Sequence, residues 1–169
     1  MKIGTIASHS ALNIISGARA EGFDTQLFCH SDRIPFYNSF GLEESIVEIE
    51  SFDQIFDMDL SDVILIPHGS FVAYLGPERI IKSNLRLFGN KELLKWEADR
   101  GLKSKLMKNA DFNVPREYAT VEEINSPVIA KTHGAAGGEG YFIAKDANEV
   151  REKMETWSQL CIDNLNMIS

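Results

Sequence analysis

The sequence predicts an α/β protein that begins with an open, mostly parallel, Rossmann-like sheet. Short apolar strands alternate with helix-like segments through the first half of the chain, and the first three segments form a β-α-β unit. Polar residues follow the strands at their carboxyl ends, where sheets of this type bind ligands. The β-α-β order normally produces parallel strands joined by a right-handed crossover.

The opening unit is the clearest part of the pattern. A buried strand is predicted at residues 2–7, a helix at 11–21 and a second strand at 25–29. Ser10 is placed to cap the helix.

The elements that follow are predicted from the same signals. In the rest of the first half we expect a loop at 33–41, strands at 45–49, 63–66 and 85–88, a short capped helix after Ser51, and a helix from about Ser70 to Gly76. In the second half we expect helices at 91–100 and 102–110 with a break at Gly101, a one-turn helix after Thr120, two strands around a glycine-rich loop, and a polar helix from Asp146 through Trp157. Residues 161–169 show no clear pattern.

Composition and charge exclude several classes of protein. The chain has 169 residues and a net charge of −8, which argues against a nucleic-acid polymer as partner. Cys29 and Cys161 lie far apart in no metal-binding spacing, so a disulfide framework is not expected. The first residues do not fit a signal peptide, and no apolar segment reaches the length of a membrane span. We therefore expect a cytoplasmic protein without membrane contact.

A glycine-rich loop stands between the two predicted strands of the second half. Lys131 precedes four glycines in seven residues, Gly134, Gly137, Gly138 and Gly140. Exposed backbone N–H groups and an ammonium suit phosphate oxygens, but the loop alone is equally compatible with a hairpin tip that holds no ligand. Tyr141 follows the last glycine and opens a strand, so the loop fits neither a Walker motif nor a dinucleotide motif.

Two polar segments follow predicted strands of the first half. His9 lies between two serines after the first strand, and His68-Gly69-Ser70 follows the strand at 63–66. A histidine beside a helix start can contact an anion, although a capping turn also explains the first segment. A further segment, 96–105, is rich in charged residues and is by itself typical of a solvated amphipathic helix. No set of carboxylates is placed convincingly to hold a metal ion.

Several strings resemble one family. The order of elements is similar to the start of an ATP-grasp enzyme: a small α/β domain, then the first lobe of the ATP-binding domain. The strings are Ile-Ala-Ser-His-Ser-Ala-Leu at 6–12, Ile-Pro-His-Gly-Ser-Phe-Val-Ala-Tyr-Leu-Gly at 66–76, Phe-Gly-Asn at 88–90 with Trp-Glu-Ala-Asp-Arg at 96–100, and Gly-Gly-Glu-Gly-Tyr-Phe-Ile-Ala-Lys at 137–145. Together they resemble the 5-formaminoimidazole-4-carboxamide ribonucleotide (FAICAR) synthetases of archaeal-type purine biosynthesis, over residues 1–150.

The resemblance implies a function and site residues. The family uses ATP, Mg²⁺ and formate to formylate aminoimidazole carboxamide ribonucleotide (AICAR). By resemblance, His9 and Ser70 contact AICAR. The residues similar to those of the ATP site are Arg100, Lys105, Lys131, Gly137, Gly138 and Gly140. No residue is assigned a catalytic or metal-binding role.

The resemblance also implies a domain organisation. We expect a substrate-side pre-ATP-grasp domain at 1–89, an incomplete ATP-grasp lobe at 90–150 and an atypical tail at 151–169. The family's chains are about twice as long, so we expect a truncated relative that is inactive alone and whose partner is a second copy or the missing C-terminal half. Glu139 stands where a basic residue is usual. A non-catalytic purine-nucleotide-binding module and a degenerate gene fragment remain alternatives.

Overall fold

The structure is a computed structural model that describes residues 1–132, 141–156 and 165–168. The chain divides into two compact units, Met1–Ala98 and Asp99–Ser169. Leu94 belongs to the hydrophobic core of the first unit, which explains why the division follows Ala98. The functional division at 1–89, 90–150 and 151–169 stays a prediction.

The first unit contains a four-stranded parallel sheet in the order β3-β2-β1-β4. Its strands are β1 (Lys2–Ile6), β2 (Asp24–His30), β3 (Ile46–Ile49) and β4 (Val63–Leu65). Its helices are α1 (Ala11–Ala20), α2 (Ile34–Asn38), α3 (Pro77–Lys82) and α4 (Leu93–Ala98). The predicted strand at 85–88 reaches the sheet through a single parallel bridge between Leu65 and Leu87.

Two apolar layers enclose this sheet. On one face, Phe28, Ile49 and Leu65 belong to a core that also contains Phe71 and Leu75 from the π-helical turn Phe71–Leu75. On the other face, Leu27 and Cys29 pack in a second core with residues of α1 and α2. The alternation of side chains along β2 therefore supplies both layers, as expected for a strand that is buried on both faces.

Two expectations for the first unit were wrong in detail, and one helix was not predicted. The predicted loop at 33–41 contains α2, because Pro35 stands in the first turn and favours a helix start. Ser10 has helical backbone angles and makes no side-chain capping bond. The helix predicted from about Ser70 to Gly76 is present as the π-helical turn Phe71–Leu75; the helix that was not predicted is α3, which begins at Pro77 directly after Gly76 turns the chain at φ +77°.

The second unit contains an antiparallel sheet in the order β5-β8-β6-β7. Its strands are β5 (Glu117–Tyr118), β6 (Val128–Thr132), β7 (Tyr141–Ala144) and β8 (Leu165–Ile168), and its helices are α5 (Arg100–Asn109) and α6 (Ala147–Met154). One face of the sheet packs in a core with Val150 of α6. The two predicted strands that flank the glycine-rich loop are present, paired from Val128↔Ala144 to Lys131↔Tyr141.

The second unit also departs from the prediction. The break between the helices lies at Asp99, whose carboxylate accepts a hydrogen bond from Leu102 N at 2.9 Å and caps α5. The helix predicted through Trp157 ends at Met154, and the unpatterned tail contains β8. Trp157 itself lies outside the described residues.

Candidate functional site

The carboxyl ends of β1 and β4 form one junction in the first unit. The two strands are neighbours in the sheet, so the segments that follow them lie side by side. His68 joins these segments: its Nε2 lies 3.2 Å from the carbonyl oxygen of Ile6, and its Nδ1 lies 3.3 Å from Ser70 N and 3.4 Å from Ser8 Oγ. The His68 side chain therefore connects the two segments just beyond their paired strands.

The hydrogen bonds of His68 define its protonation state. Since the Ile6 carbonyl can only accept, Nε2 carries the proton, and Nδ1 accepts from the Ser70 N–H; this tautomer is assigned from the bond pattern. Burial lowers the pKa of His68 below its usual value of 6.5, the bond to Ile6 partly opposes this, and the neighbouring His9 lowers the pKa further. His68 is therefore neutral at pH 7 and fixed in one tautomer.

His9 and Ser70, the two predicted AICAR residues, stand on either side of His68. The ring centroids of His9 and His68 are 6.4 Å apart, with the rings edge to face. Ser70 is buried, whereas His9 is exposed. The structure thus brings both predicted residues to the same edge of the sheet, with His68 between them.

A cleft of about 260 Å³ opens next to His9. It is lined by Ser8, His9, Leu12, Arg33, Phe36 and Tyr37. Tyr37 donates from its hydroxyl to the Ser8 carbonyl at 3.0 Å, and Arg33 Nη1 donates to the Ala7 carbonyl at 3.1 Å. These two bonds hold the short helical segment 31–38 against the turn that follows β1.

Sequence reasoning missed Arg33 and Phe36, because residues 33–41 were predicted to be a loop without a role. Arg33 follows β2 by three residues, and β2 is the other neighbour of β1. The available signal was that β2, the third of three adjacent strands, ends at the same edge of the sheet just before Arg33. Cys29, although close in sequence, is no candidate nucleophile, because burial raises the pKa of its thiol to about 11.

A larger cleft lies elsewhere in the first unit. It has a volume of about 760 Å³ and includes Lys2 and Asp24, the first residues of β1 and β2. It therefore lies at the amino ends of these strands, opposite the junction, and contains none of the predicted site residues.

The second unit brings two of the predicted ATP residues together. Arg100, on the first turn of α5, and Lys131, on β6, line one cleft of about 360 Å³. Nη1 of Arg100 is buried and has no hydrogen-bond partner among the described residues. The two cationic side chains that line this cleft suit an anionic group.

The other predicted ATP residues are not in this cleft. Lys105 is exposed on α5 and does not line it. Gly137, Gly138 and Gly140, like Glu139, lie outside the described residues. Glu117 at the cleft wall accepts hydrogen bonds from Ser104 and Lys108, which lower the pKa of its carboxyl, so it is ionised at pH 7.

The described ranges contain neither a metal-binding cluster nor a membrane-spanning helix. In residues 1–132, 141–156 and 165–168, no group of three or more His, Cys, Asp or Glu side chains is placed to hold a metal ion. No helix in those ranges combines the length and apolar character needed to cross a bilayer.

Comparison with known proteins identifies relatives along most of the chain. Residues 3–118 match the profile of a family described as "Protein of unknown function (DUF1246)". A FAICAR synthetase from Ignicoccus hospitalis is 41% identical over 162 residues, which are 92% of this chain and 47% of that protein. One from Pyrococcus abyssi is 43% identical over 156 residues, covering 92% of this chain and 46% of the relative. The chain thus spans about half the length of the curated relatives it matches.

Solved structures agree with the fold. The crystal structure of an IMP biosynthesis protein, PurP, from Thermococcus kodakaraensis superposes with a TM-score of 0.71 at 32% identity, over 98% of this chain and 49% of that one. An N5-carboxyaminoimidazole synthase from Aspergillus clavatus shares the fold alone, with a TM-score of 0.66 at 10% identity over 99% of this chain and 46% of that one. The predicted fold class, a Rossmann-like domain followed by part of an ATP-grasp domain, is confirmed. The chain belongs to the DUF1246 family, and the resemblance to FAICAR synthetases that its motifs indicated is confirmed.

Proposed function

We propose that this chain is the substrate-side portion of a formate-dependent ATP ligase. The reaction joins formate to the amine of AICAR and forms 5-formamidoimidazole-4-carboxamide ribonucleotide in purine biosynthesis. The observation that carries the proposal is the junction at which His9 and Ser70, the residues expected to contact AICAR, flank the neutral His68. Similarity to proteins named FAICAR synthetases supports the choice of substrate.

The proposed roles follow from the chemistry of each side chain. His9 is exposed at the mouth of the cleft and is assigned to the nucleotide. Ser70 is assigned to the same ligand from the neighbouring strand end, and His68 holds its backbone in place through Nδ1. The N–H at Nε2 of His68 donates its hydrogen bond to the Ile6 carbonyl, so His68 positions these segments and transfers no proton.

ATP is assigned to the cleft of the second unit. Arg100 and Lys131 both line this cleft, and their two cations suit the phosphate groups of ATP. ATP, when bound, supplies the phosphoryl group that activates formate. The described residues offer no ligand set for Mg²⁺, so no residue is assigned to that ion.

The relatives are about twice as long as this chain. We therefore assign the complete reaction to the chain together with a polypeptide that corresponds to the remainder of the relatives, as one protein or as a partner. A second copy of the chain and a cytoplasmic location stay predictions.

Calorimetric titration of the purified chain tests this proposal. One titration uses AICAR, and a separate one uses Mg-ATP. Saturable binding of AICAR is the expected result. Absence of AICAR binding by a chain that unfolds cooperatively would contradict the proposal, whereas binding of AICAR without Mg-ATP would favour the nucleotide-binding module without catalysis.

A further inference from the structure

The cleft beside His9 combines a cationic side chain, Arg33, with apolar ones, Phe36 and Leu12. The segment 31–38 provides Arg33 and Phe36, and the turn and helix after β1 provide His9 and Leu12. The residues that line both sides belong to the first unit. A small concave site with a few polar groups and an apolar surface is typical of ligand-binding pockets.

Arg33 is held in place while most of its donors stay available. A guanidinium has five N–H donors. The bond from Nη1 to the Ala7 carbonyl oxygen, at 3.1 Å, fixes the group next to the residue that follows β1. Within the described ranges, no carboxylate forms an ion pair with Arg33. An anchored arginine without an ion pair in a cleft is suited to a phosphate group, which it can bind through two parallel bonds.

Phe36 supplies the apolar part of the cleft. Its side chain is 54% exposed, although its ring packs edge to face against Tyr37 at 5.1 Å and lies 5.2 Å from the ring of Phe40. Tyr37 is in turn buried and bonded to the Ser8 carbonyl, which limits the movement of this aromatic group. A fixed, exposed aromatic ring offers a flat surface to a heterocyclic base or a ribose.

We propose that Arg33 binds the phosphate monoester of the substrate nucleotide and that Phe36 packs against its ribosyl-imidazole part. The choice of ligand rests on the proposed function, whereas the assignment of the two residues rests on the cleft. His9 then contacts the nucleotide between these two groups.

Two ligands separate the roles of the residues. AICAR carries the phosphate, and its nucleoside lacks it but keeps the ribose and the base. Arg33→Gln is expected to weaken AICAR binding by about tenfold or more, as expected for loss of a charged hydrogen bond, and to leave nucleoside binding unchanged. Phe36→Ala is expected to weaken the binding of both ligands.

Arg86→Gln is the matched control. Arg86 is also an exposed arginine of the first unit, and its Nη1 also donates to a backbone carbonyl, that of Ser61. It lines a different cleft, so its replacement is expected to leave both affinities unchanged. If Arg33→Gln does not fold, Arg33→Lys replaces it and is expected to weaken AICAR binding by about threefold, because the ammonium cannot form the two-bond fork.

Each result decides a different point. Unchanged AICAR affinity in the folded Arg33 variant, or an equal loss for AICAR and nucleoside, would overturn the phosphate assignment and leave the proposed function standing. Failure of the unsubstituted chain to bind AICAR would overturn both. Selective loss of AICAR binding in the Arg33 variant, with normal binding in the Arg86 variant, supports the inference.

Discussion

His68 Nε2 donates to the carbonyl oxygen of Ile6 at 3.2 Å and thereby ties the end of β4 to the end of β1. The same ring accepts the Ser70 N–H through Nδ1. The predicted substrate residues are therefore positioned by a side chain that is assigned no contact with the substrate itself.

Removing this connection should destabilise the first unit. His68→Ala is expected to lower the free energy of unfolding by about 1–3 kcal/mol, because the Ile6 carbonyl and the Ser70 N–H lose their partner in a partly buried region. His68→Gln keeps an amide N–H and should lose less. Urea denaturation followed by circular dichroism measures both, and an alanine variant as stable as the unsubstituted chain would contradict this role.

The pKa of His68 also predicts a pH dependence of stability. Burial lowers the pKa of His68 below 6.5, so the unfolded chain takes up a proton at higher pH than the folded chain. The contribution of His68 to stability is therefore fully present above the folded and unfolded pKa values and falls as the pH decreases through 6.5 towards the lower, folded value. Urea denaturation between pH 8 and pH 5 should show a smaller decrease for His68→Gln than for the unsubstituted chain. Identical pH profiles would rule out this linkage.

Two glycines of the first unit predict opposite effects of alanine. A Cβ at Gly4 would lie 2.7 Å from Val63 Cγ1 and 3.1 Å from Leu65 Cδ2, so Gly4→Ala should cost about 1–3 kcal/mol of stability. Gly17 is inside α1 with nothing within 4 Å of the added atom. Gly17→Ala should raise stability by about 0.5–1 kcal/mol, because alanine favours the helix. Thermal unfolding of the two variants provides the comparison; a Gly4→Ala variant as stable as the unsubstituted chain would contradict the packing at Gly4, and a destabilised Gly17→Ala variant would contradict the expectation for α1.

These features show which parts of the molecule the sequence could predict. The β-α-β opening was predictable because apolar runs and helical spacing are local signals. The strand β8 was not, because its residues Leu165–Ile168 become a strand only by pairing with distant ones, as Met167 does with Ala130 and Tyr118. Tertiary pairing of this kind overrides weak local preference.

The site was predictable to a similar extent. The segments that contain His9 and Ser70 could be found because they follow strands, and the family resemblance singled out these two residues. The bond of His68 to Ile6 depends on β4 lying beside β1, which local patterns do not determine. Arg33 was missed because the predicted loop begins in a short helical segment: Arg33 ends a single turn at Ser31–Arg33, and α2 follows directly.

Substitutions in the cleft of the second unit are expected to change the affinity for ATP. Lys131→Met and Arg100→Gln should each weaken Mg-ATP binding by about tenfold or more, because each removes a cation from the cleft assigned to the phosphates. Lys82→Met is the control, since Lys82 is an exposed lysine on α3 in the other unit. The assay is titration calorimetry of the folded chain, alone or together with a polypeptide that corresponds to the remainder of the relatives. If neither cleft variant changes the affinity for Mg-ATP, the assignment of ATP to this cleft is wrong.

The most direct test of the central claim locates the nucleotide on the sheet. Backbone amide shifts in nuclear magnetic resonance spectra, recorded while AICAR is titrated into the isotopically labelled chain, report on both edges of the sheet at once. The account predicts the largest changes at residues 8–10 and 68–71, with little change near Lys2, Asp24 and Glu43, which line the larger cleft. Changes concentrated in that larger cleft, or saturable binding without changes at the junction of β1 and β4, would contradict it.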